Sequence, residues 1–450
     1  MKRSILVIVC VSLIAQFGLF FYLKSISVGS NSLFPVIEGD SSLYASLAHN
    51  LVAHHTFAWD EKTLTPIRHY AVGYPAFLAV SEKIFGSFVP AVFLQIFLLA
   101  LASVLIFLMA RKFLPDWVSL IPALIFSLDP SIIFLNTTVM TDGFFASLLI
   151  ILVYVVFFNK KWRDWTMFLC AGLLLGYMTL VRPIAEYLVI FLPLIYFLLV
   201  RFDKKTILVA RRKSLVVFLI GFVLVVSPWM IRNKNIFNHY QIVNDGGFLL
   251  YNAQIFLTWK EMWSHGTHLY ILLSRHTNTP EYVDTKTKIT SDLNKLTPKS
   301  GSVDDYMGAL AKQYILADPI SYTYFHLANS LPIFFGGSFS EYLRNVNSLR
   351  SAPAPVISFI PKLLETGFQI LVFIFALAGS IAAFRRRHLI LVVFACLIIY
   401  FTVLTGPIGN ARYRTPIQPF LLILATYGAC VVIENTRFRF KKEIRYNIAS

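Results

Sequence analysis

Residues 89–110 read VPAVFLQIFLLALASVLIFLMA, and Arg111 and Lys112 follow them directly. A stretch of about 20 apolar residues is long enough to cross the hydrocarbon core of a bilayer as a helix. The same pattern recurs along the whole chain, so the sequence predicts a polytopic, all-α membrane protein. We place ten predicted spans at 4–23, 89–110, 117–135, 142–158, 166–181, 185–200, 214–231, 364–384, 389–405 and 415–433.

The distribution of charge along the chain predicts how these spans are oriented in the membrane. The 450-residue chain is 57% hydrophobic and only 14% charged, whereas a soluble domain is about one quarter charged. Its net charge of +17 could indicate a nucleic-acid partner, but the basic residues collect at one end of the spans, as cytoplasmic Lys and Arg do in membrane proteins. We therefore predict no nucleic-acid partner and place both termini in the cytoplasm. The basic clusters are Lys2-Arg3, Arg111-Lys112, Lys160 to Arg163, Arg201 to Lys213, Arg385 to Arg387 and Arg437 to Arg445.

The predicted organisation has three parts. Residues 1–231 form a membrane core of seven spans with a first outer loop at 24–88, and residues 364–450 supply three spans and a basic tail. Between them, 232–363 form a large outer segment. In that segment we predict flexibility from Thr277 to Asp305 and an interfacial helix at 319–337.

The first outer loop concentrates polar residues. Leu43, Leu47 and Leu51 recur at helical spacing, which predicts a short amphipathic helix that starts just after Asp40. Two interpretations of Asp40 are compatible with this position: an N-cap of the helix, or a carboxylate held at the membrane surface as a general base. The loop histidines have no tight ligand spacing, so we predict no cofactor and leave a divalent metal as the alternative.

Arginines lie near the predicted outer ends of several other spans. Arg182, Arg232, Arg412 and Arg414 each lie within a few residues of a predicted outer end, and Arg68 lies in the first loop. A guanidinium grips phosphate oxygens through paired N–H donors. The alternative is contact with lipid headgroups. Asp129 is an acid near the end of the third span; it is either functional or satisfied by a neighbour at the interface.

Several motifs resemble those of the GT-C glycosyltransferases. The first loop supplies Asp40, Tyr44 and Gly73-Tyr74-Pro75. The motifs most resemble those of the bacterial branch that includes aminoarabinose transferases and relatives of protein O-mannosyltransferases. Departures are Ser41 and Val72 in the first loop, and Asp142 where Glu is frequent. Further motifs are Thr141-Asp142, Arg182-Pro183, Pro228-Trp229 with Arg232-Asn233, Gly246-Gly247 with Tyr251-Asn252, and Arg412-Tyr413-Arg414.

The resemblance implies an integral membrane enzyme that takes sugar from a polyprenyl-phosphate donor. The acceptor would be a glycan, a lipid or a protein at the extracytoplasmic face of the inner (plasma) membrane. Asp40 would act as the base of an inverting displacement, and Asp142 would bind sugar hydroxyls or orient the acceptor. The expected substrate-binding residues are Tyr44, Arg68, Tyr74, Arg182, Arg232, Arg412 and Arg414.

Two other classes of protein fit the composition. A transporter or lipid flippase should show ionisable residues at mid-span and broken helices in paired positions. A polymerase or ligase of surface polysaccharide could share the large outer segment. Most spans here lack charges and the polar groups gather at one face, which suits surface chemistry better than passage. The polymerase or ligase class is not expected to show the Asp40, Tyr44 and Gly73-Tyr74-Pro75 arrangement.

Overall fold

The computed structural model describes residues 1–27, 34–37, 39–158, 164–202, 212–244, 246–264, 280–295, 303–336 and 359–448. Its described elements are all helical, with no strand among them, which confirms the predicted all-α class. Short 3-10 helices form at Pro183–Ala185, Gly406–Ile408 and Ala411–Arg414. The α-helices are α1 Lys2–Ile26, α2 Asp40–Ala53, α3 Gly73–Phe85, α4 Val89–Ala110, α5 Asp116–Leu128, α6 Pro130–Asn136, α7 Thr141–Phe158, α8 Asp164–Val181, α9 Leu188–Phe202, α10 Arg212–Phe237, α11 Gly246–Ser264, α12 Pro280–Asn294, α13 Val303–Ala317, α14 Pro319–Phe335, α15 Phe359–Arg385, α16 Leu389–Thr405 and α17 Gln418–Ile448.

Every predicted span overlaps one or more apolar helices, and these helices differ in length. Within the described residues, five are long and apolar enough to cross a membrane: Lys2–Ile26, Val89–Ala110, Thr141–Phe158, Ser214–Phe237 and Leu363–Arg385. The bent pair α5 and α6 raises this number to six. The protein is therefore a multi-pass membrane protein, and the full count of ten spans stays a prediction. Shorter apolar helices occupy Trp165–Val181, Pro183–Tyr196, Leu389–Thr405 and Gln418–Glu434.

The third predicted span is not one helix. At Asp129 the chain leaves the helical conformation, and α5 and α6 meet at an angle of 54°. The residue before a proline is pushed toward extended backbone, and Pro130 suits the first turn of a new helix. Asp129 Oδ1 accepts from the backbone N–H groups of Ser131 at 3.0 Å and Ile132 at 3.2 Å. Its carboxylate therefore caps α6.

Helices α15 and α17 pack closely through glycine. Gly379 of α15 and Gly428 of α17 lie against each other, and a Cβ atom on either would overlap the backbone of the partner helix. Small residues allow this approach in membrane helices.

Asp142 begins α7, Arg182 follows α8, and Arg412 precedes α17. All three lie at the helix ends opposite the predicted cytoplasmic clusters, about 27 Å away for α7 at 1.5 Å per residue.

The large outer segment is folded where it is described. Helix α12 covers Pro280–Asn294, inside the Thr277–Asp305 stretch, and the flexibility of that stretch stays a prediction. Ile289 packs against Leu250, Ala253 and Ala311 of the neighbouring helices, and this shared apolar cluster stabilises a helix that is polar overall. Residues 277–279 and 296–302 of that stretch lie outside the described residues, and 303–305 begin α13. Helix α14 covers Pro319–Phe335, and its place at the membrane interface stays a prediction.

Candidate active site

A buried ion pair joins the ends of α7 and α8. Asp142 lies in the first turn of α7, where the helix dipole stabilises a carboxylate, and it is completely buried. Arg182 donates from Nη2 to Asp142 Oδ1 at 2.7 Å and from Nε to the Thr141 hydroxyl at 3.1 Å. The structure therefore brings together the two residues that the sequence places 40 positions apart.

Asp40 is bound to an arginine from the other end of the chain. Arg412 Nη2 donates to Asp40 Oδ2 at 2.8 Å. The N-cap of α2 is Gly39, and Asp40 already belongs to the first turn of the helix, so the N-cap interpretation of Asp40 is wrong. The physical reason is that a guanidinium is a stronger partner for a carboxylate than a neutral backbone N–H. Gly39 has a φ of 80°, which favours glycine at this helix start.

Arg412 connects the two acids. Its Nε lies 3.5 Å from Asp142 Oδ1, so four charges alternate in the order Asp40, Arg412, Asp142 and Arg182. The negative charge of Asp142 raises the pKa of Arg412, against the lowering effect of burial. The Tyr413 ring centre lies 5.7 Å from the guanidinium carbon of Arg182 and 5.7 Å from that of Arg412. We call these four charged residues the acid–arginine cluster.

The two aspartates differ in access. The Asp40 side chain is 40% exposed, whereas the Asp142 side chain has no exposed surface. A ligand from solvent can therefore reach Asp40 directly, while Asp142 is placed to orient the arginines. Among the described residues, neither Asp142 Oδ2 nor Arg412 Nε has a hydrogen-bond partner, although both atoms are buried. Such unsatisfied atoms call for a bound water or a ligand group.

Two tyrosines border this cluster. Tyr44 lies one turn after Asp40 and packs edge-on against Tyr74, with ring centres 5.3 Å apart. Burial is the main cause that raises the pKa of Tyr44 to about 12, so its phenol stays protonated near neutral pH. Tyr74 is completely buried and donates to Gln95 Oε1 at 2.7 Å. Tyr44 therefore lies beside the two aspartates of the cluster, and Tyr74 packs against the Tyr44 ring.

The glycine of the Gly-Tyr-Pro motif has a packing reason. A Cβ on Gly73 would lie 2.6 Å from the carbonyl carbon of Leu180, so only glycine lets α3 approach the end of α8. Tyr177 of α8 donates to the Gly73 carbonyl at 3.2 Å. This contact fixes the start of α3, and with it Tyr74, relative to Arg182.

Arg68 and Arg232 lie together in a different place. Both guanidiniums lie over the Phe237 ring, each 5.3 Å from its centre. Arg232 donates to the Ile67 carbonyl at 3.0 Å, and Arg68 donates to Gln241 at 3.3 Å. Neither shows an ion pair with Asp40 or Asp142 in the described part of the chain. The structure thus separates these two arginines from the acid–arginine cluster, and they hold the first loop against α10.

Arg414 also points away from the cluster. It is 3% exposed and donates to the carbonyls of Ile333, Phe334 and Gly336 at 3.3, 3.2 and 3.0 Å. Its Nη2 lies 3.3 Å from Glu365 Oε1. These bonds satisfy carbonyls at the end of α14, which otherwise lack partners. Arg414 therefore connects α14, α15 and the Ala411–Arg414 turn.

Two of the loop histidines lie close to acids. His49 Nδ1 lies 2.8 Å from Glu82 Oε1, and His54 Nε2 lies 4.0 Å from Glu61 Oε1. Within the described ranges, no group of three or more His, Cys, Asp or Glu residues could hold a metal ion.

Sequence reasoning assigned no role to three residues that shape this region. Tyr413 was quoted only as part of a motif, yet its ring lies between Arg182 and Arg412. Gln95 holds Tyr74 and donates to the Asn136 and Thr138 carbonyls at 3.1 and 3.3 Å. The signal for Gln95 was a lone amide inside the apolar 89–110 stretch. Glu365 is an acid in a predicted span and should have been considered with Asp129.

Comparisons with known proteins give one informative match. Residues 69–231 match the family described as dolichyl-phosphate-mannose-protein mannosyltransferase. No curated protein matches the chain.

Two solved structures show a low similarity, both of ArnT from Cupriavidus metallidurans. The crystal structure bound to undecaprenyl phosphate has 14% identity and a TM-score of 0.38, and the alignment covers 92% of this chain and 78% of that one. The apo structure gives 14% identity, a TM-score of 0.37, and coverages of 92% and 77%. Over residues 69–231, the chain is therefore similar to a family of protein mannosyltransferases, in agreement with the resemblance of its motifs to the GT-C glycosyltransferases.

Proposed function

We propose that this protein is a membrane glycosyltransferase that moves a sugar from a polyprenyl-phosphate donor to a hydroxyl acceptor. The observation that carries the proposal is the acid–arginine cluster, in which the exposed Asp40 lies 2.8 Å from Arg412. A family match over 69–231 supports the sugar-transfer class, since dolichyl phosphate is itself a polyprenyl-type carrier.

The acid–arginine cluster is suited to a single displacement reaction at the anomeric carbon of the donor sugar. The acceptor oxygen attacks the anomeric carbon as the bond from that carbon to the phosphate oxygen breaks. The acceptor proton passes to Asp40, and the polyprenyl phosphate leaves with the electron pair. Arg412 and Arg182 stabilise the phosphate charge, while Asp142 holds both guanidiniums in place. A single displacement of this kind inverts the anomeric configuration.

Donor binding would also free the base. In the structure Arg412 donates to Asp40 Oδ2, and this bond occupies an oxygen that would otherwise be open to the acceptor hydroxyl. A donor phosphate competes for the same Nη2 donors of Arg412, because Arg binds phosphate and carboxylate through the same fork. Phosphate binding would then release Asp40 to take the acceptor proton. Proton transfer thus follows donor binding.

Sidedness supports an extracytoplasmic reaction. The cluster lies at the helix ends opposite the basic clusters, and Lys and Arg collect on the cytoplasmic side. We assign the site to the outer face of the inner or plasma membrane. A glycan, a lipid or a protein displayed at that face would supply the acceptor hydroxyl.

The test is Asp40→Asn in the purified, reconstituted full chain, supplied with a labelled polyprenyl-phosphate sugar and a panel of acceptors. We expect transfer to fall by about 10²- to 10⁴-fold, the usual contribution of a general base. The matched control is Asp116→Asn, which removes an exposed aspartate paired with Arg111 at 2.6 Å at the far end of α5.

The control should keep full activity. Transfer by Asp40→Asn at the unaltered rate would remove Asp40 from the mechanism. Movement of the labelled donor across the vesicle membrane with no transfer to any acceptor would favour a flippase instead.

A further inference from the structure

Gln95 is a buried amide in a helix that is otherwise almost entirely apolar. It lies in the second turn of α4, and none of its surface is exposed. Burial of an amide in apolar surroundings is costly unless new hydrogen bonds replace those made to water. The hydrogen bonds of Gln95 therefore indicate which parts of the protein this side chain holds together.

Gln95 connects α3 to the segment between α6 and α7. Tyr74 of α3 donates to Gln95 Oε1 at 2.7 Å. Gln95 Nε2 donates to the carbonyls of Asn136 and Thr138 at 3.1 and 3.3 Å. A side-chain amide has one carbonyl oxygen and two N–H donors. A rotated amide would place Oε1 against two carbonyl oxygens, so these three bonds define one orientation of the Gln95 side chain.

The hydrogen bonds continue from Asn136 to α1. Asn136 Nδ2 donates to Gln16 Oε1 at 2.7 Å, and Gln16 Nε2 donates to the Ser12 hydroxyl at 3.0 Å. We call Gln16, Gln95 and Asn136 the amide network, and all three residues are completely buried. Hydrogen bonds in a low dielectric are stronger than in water and hold their partners in one arrangement. The amide network therefore fixes α1, α3, α4 and the end of α6 relative to one another.

On one side, the amide network supports the helix that carries Asp40. The Tyr74 ring packs edge-on against Tyr44, with ring centres 5.3 Å apart, and Tyr44 lies one turn after Asp40 on α2. Tyr74 is completely buried, so solvent cannot replace Gln95 as the acceptor of its hydroxyl. A movement of the Tyr74 ring therefore displaces Tyr44 and, with it, the start of α2.

On the other side, the amide network contacts the start of α7. Asn136 Oδ1 lies 2.6 Å from the place that a Cβ atom on Gly143 would occupy, and Gly143 directly follows Asp142. In the described part of the chain, Arg182 and Arg412 bond to other partners and not to the amide network. The amide network thus connects the helices of the two aspartates without touching the arginines.

We propose that Gln95 is a positioning residue, which fixes the base Asp40 relative to the donor site around Asp142. This role depends on the proposed function, because it concerns the geometry of that transfer. Without the Gln95 amide, the buried Tyr74 hydroxyl has no acceptor, and an unpaired buried polar group is costly. The Tyr74 ring then turns toward another partner and displaces Tyr44 and α2. A displacement of about 1 Å can cost on the order of 100-fold in rate.

The experiment compares kcat and the donor KM of the reconstituted full chain with those of Gln95→Met. Methionine is unbranched and similar in length to glutamine, but it has no N–H donor and only a weak acceptor. We expect kcat to fall by about tenfold, because the base is displaced. The donor KM should stay within about twofold, because the arginines keep their partners. An unaltered kcat in Gln95→Met overturns the proposal.

Two further variants separate the hydrogen bonds from packing. Gln369→Met removes another buried amide, 3% exposed on α15, and should leave both constants unchanged. Gln95→Glu should restore most of kcat, since a protonated carboxyl has an acceptor oxygen for Tyr74 and one O–H donor. A loss in Gln95→Met that Gln95→Glu does not restore contradicts the positioning role.

Tyr74→Phe tests the same bond from the other side, and it keeps the test open if Gln95→Met does not fold. It should lower kcat by about threefold, because Gln95 Oε1 loses its donor. Replacement of both partners by apolar groups can be nearly neutral, so Gln95→Met with Tyr74→Phe should recover to within about threefold of the unaltered kcat. Independent effects would multiply to about thirtyfold. Such a product, or an unaltered kcat in Tyr74→Phe, overturns the proposal.

A spectroscopic measurement distinguishes failure of this role from failure of the proposed function. The protein is labelled with ring-¹³C tyrosine, and the NMR signal of Tyr44 is identified by its absence in Tyr44→Phe. We expect Gln95→Met to shift the Tyr44 signal and Gln369→Met to leave it in place. An unaltered signal in Gln95→Met overturns the positioning role whether or not sugar is transferred. If the unaltered protein transfers no sugar, the proposed function fails, while a shifted signal still supports the connection from Gln95 to Tyr44.

Discussion

Asp142→Asn should destabilise the fold much more than Asp40→Asn, although both changes remove one carboxylate from the same cluster. Asp142 has no exposed surface and lies between Arg182 at 2.7 Å and Arg412 at 3.5 Å. Removal of one partner from a buried ion pair costs about 3–5 kcal/mol, because the remaining charge is left uncompensated. Asparagine keeps one acceptor oxygen for Arg182, so we expect about 3 kcal/mol, at the lower end of that range.

The Asp40 pair is different because solvent screens it. The Asp40 side chain is 40% exposed, and exposed ion pairs contribute about 0–1 kcal/mol. Asp40→Asn should therefore lose activity while keeping its free energy of unfolding. The two variants are compared by denaturant titration in mixed micelles, with Asp116→Asn as the exposed-aspartate control.

A double-mutant cycle of Asp142→Asn with Arg182→Gln isolates the direct interaction. We expect a coupling energy of about 0.5–3 kcal/mol, the usual range for residues in contact. A loss below about 1 kcal/mol for Asp142→Asn, well under the cost of breaking a buried pair, would refute the reasoning. So would equal losses for Asp142→Asn and Asp40→Asn, since the argument depends on the difference in burial.

Three further predictions concern single positions. Arg412→Lys should raise the KM for the donor by about tenfold, since one ammonium cannot bridge Asp40 and Asp142 as the guanidinium does. Arg414→Lys should lower stability and leave that KM unchanged. A titration of donor concentration distinguishes the two variants. Gly73→Ala should cost about 1–3 kcal/mol of unfolding free energy, because its Cβ would lie 2.6 Å from the Leu180 carbonyl carbon; unchanged thermal stability would contradict the close approach. Burial raises the pKa of Tyr44 to about 12, so its protonated phenol stabilises the folded state fully below pH 10, and this contribution is lost as the pH rises from 10 to about 12. Tyr44→Phe should therefore weaken the alkaline loss of stability that melting scans measure. An unaltered pH profile would count against the buried placement.

Hydropathy was sufficient for the membrane class because it is a local property. Each apolar stretch, such as 89–110, must satisfy its backbone within its own helix in a bilayer, so length and composition alone decide that it is helical. Charge at the span ends likewise predicts sidedness without knowledge of any contact. The break at Asp129-Pro130 was visible as a local signal too, but the apolar pattern on both sides of it suggested one continuous span.

The composition of the site depended on packing. Asp40 and Arg412 are 372 residues apart, and no local pattern relates them. Sequence position also could not separate Arg412 from Arg414, since both follow the same span end. The turn at Ala411–Arg414 directs one guanidinium to Asp40 and the other to the α14 carbonyls.

The sequence by itself determined the helical membrane class, the predicted sidedness of the polar residues and the match of 69–231 to a sugar-transfer family. Only the tertiary structure decided which of the five arginines meet the two aspartates, and which aspartate is open to solvent. The physical reason is that spans follow from the solvation of each segment alone. Pairing between distant side chains follows from how all the helices pack together, through many weak contacts that no single stretch encodes.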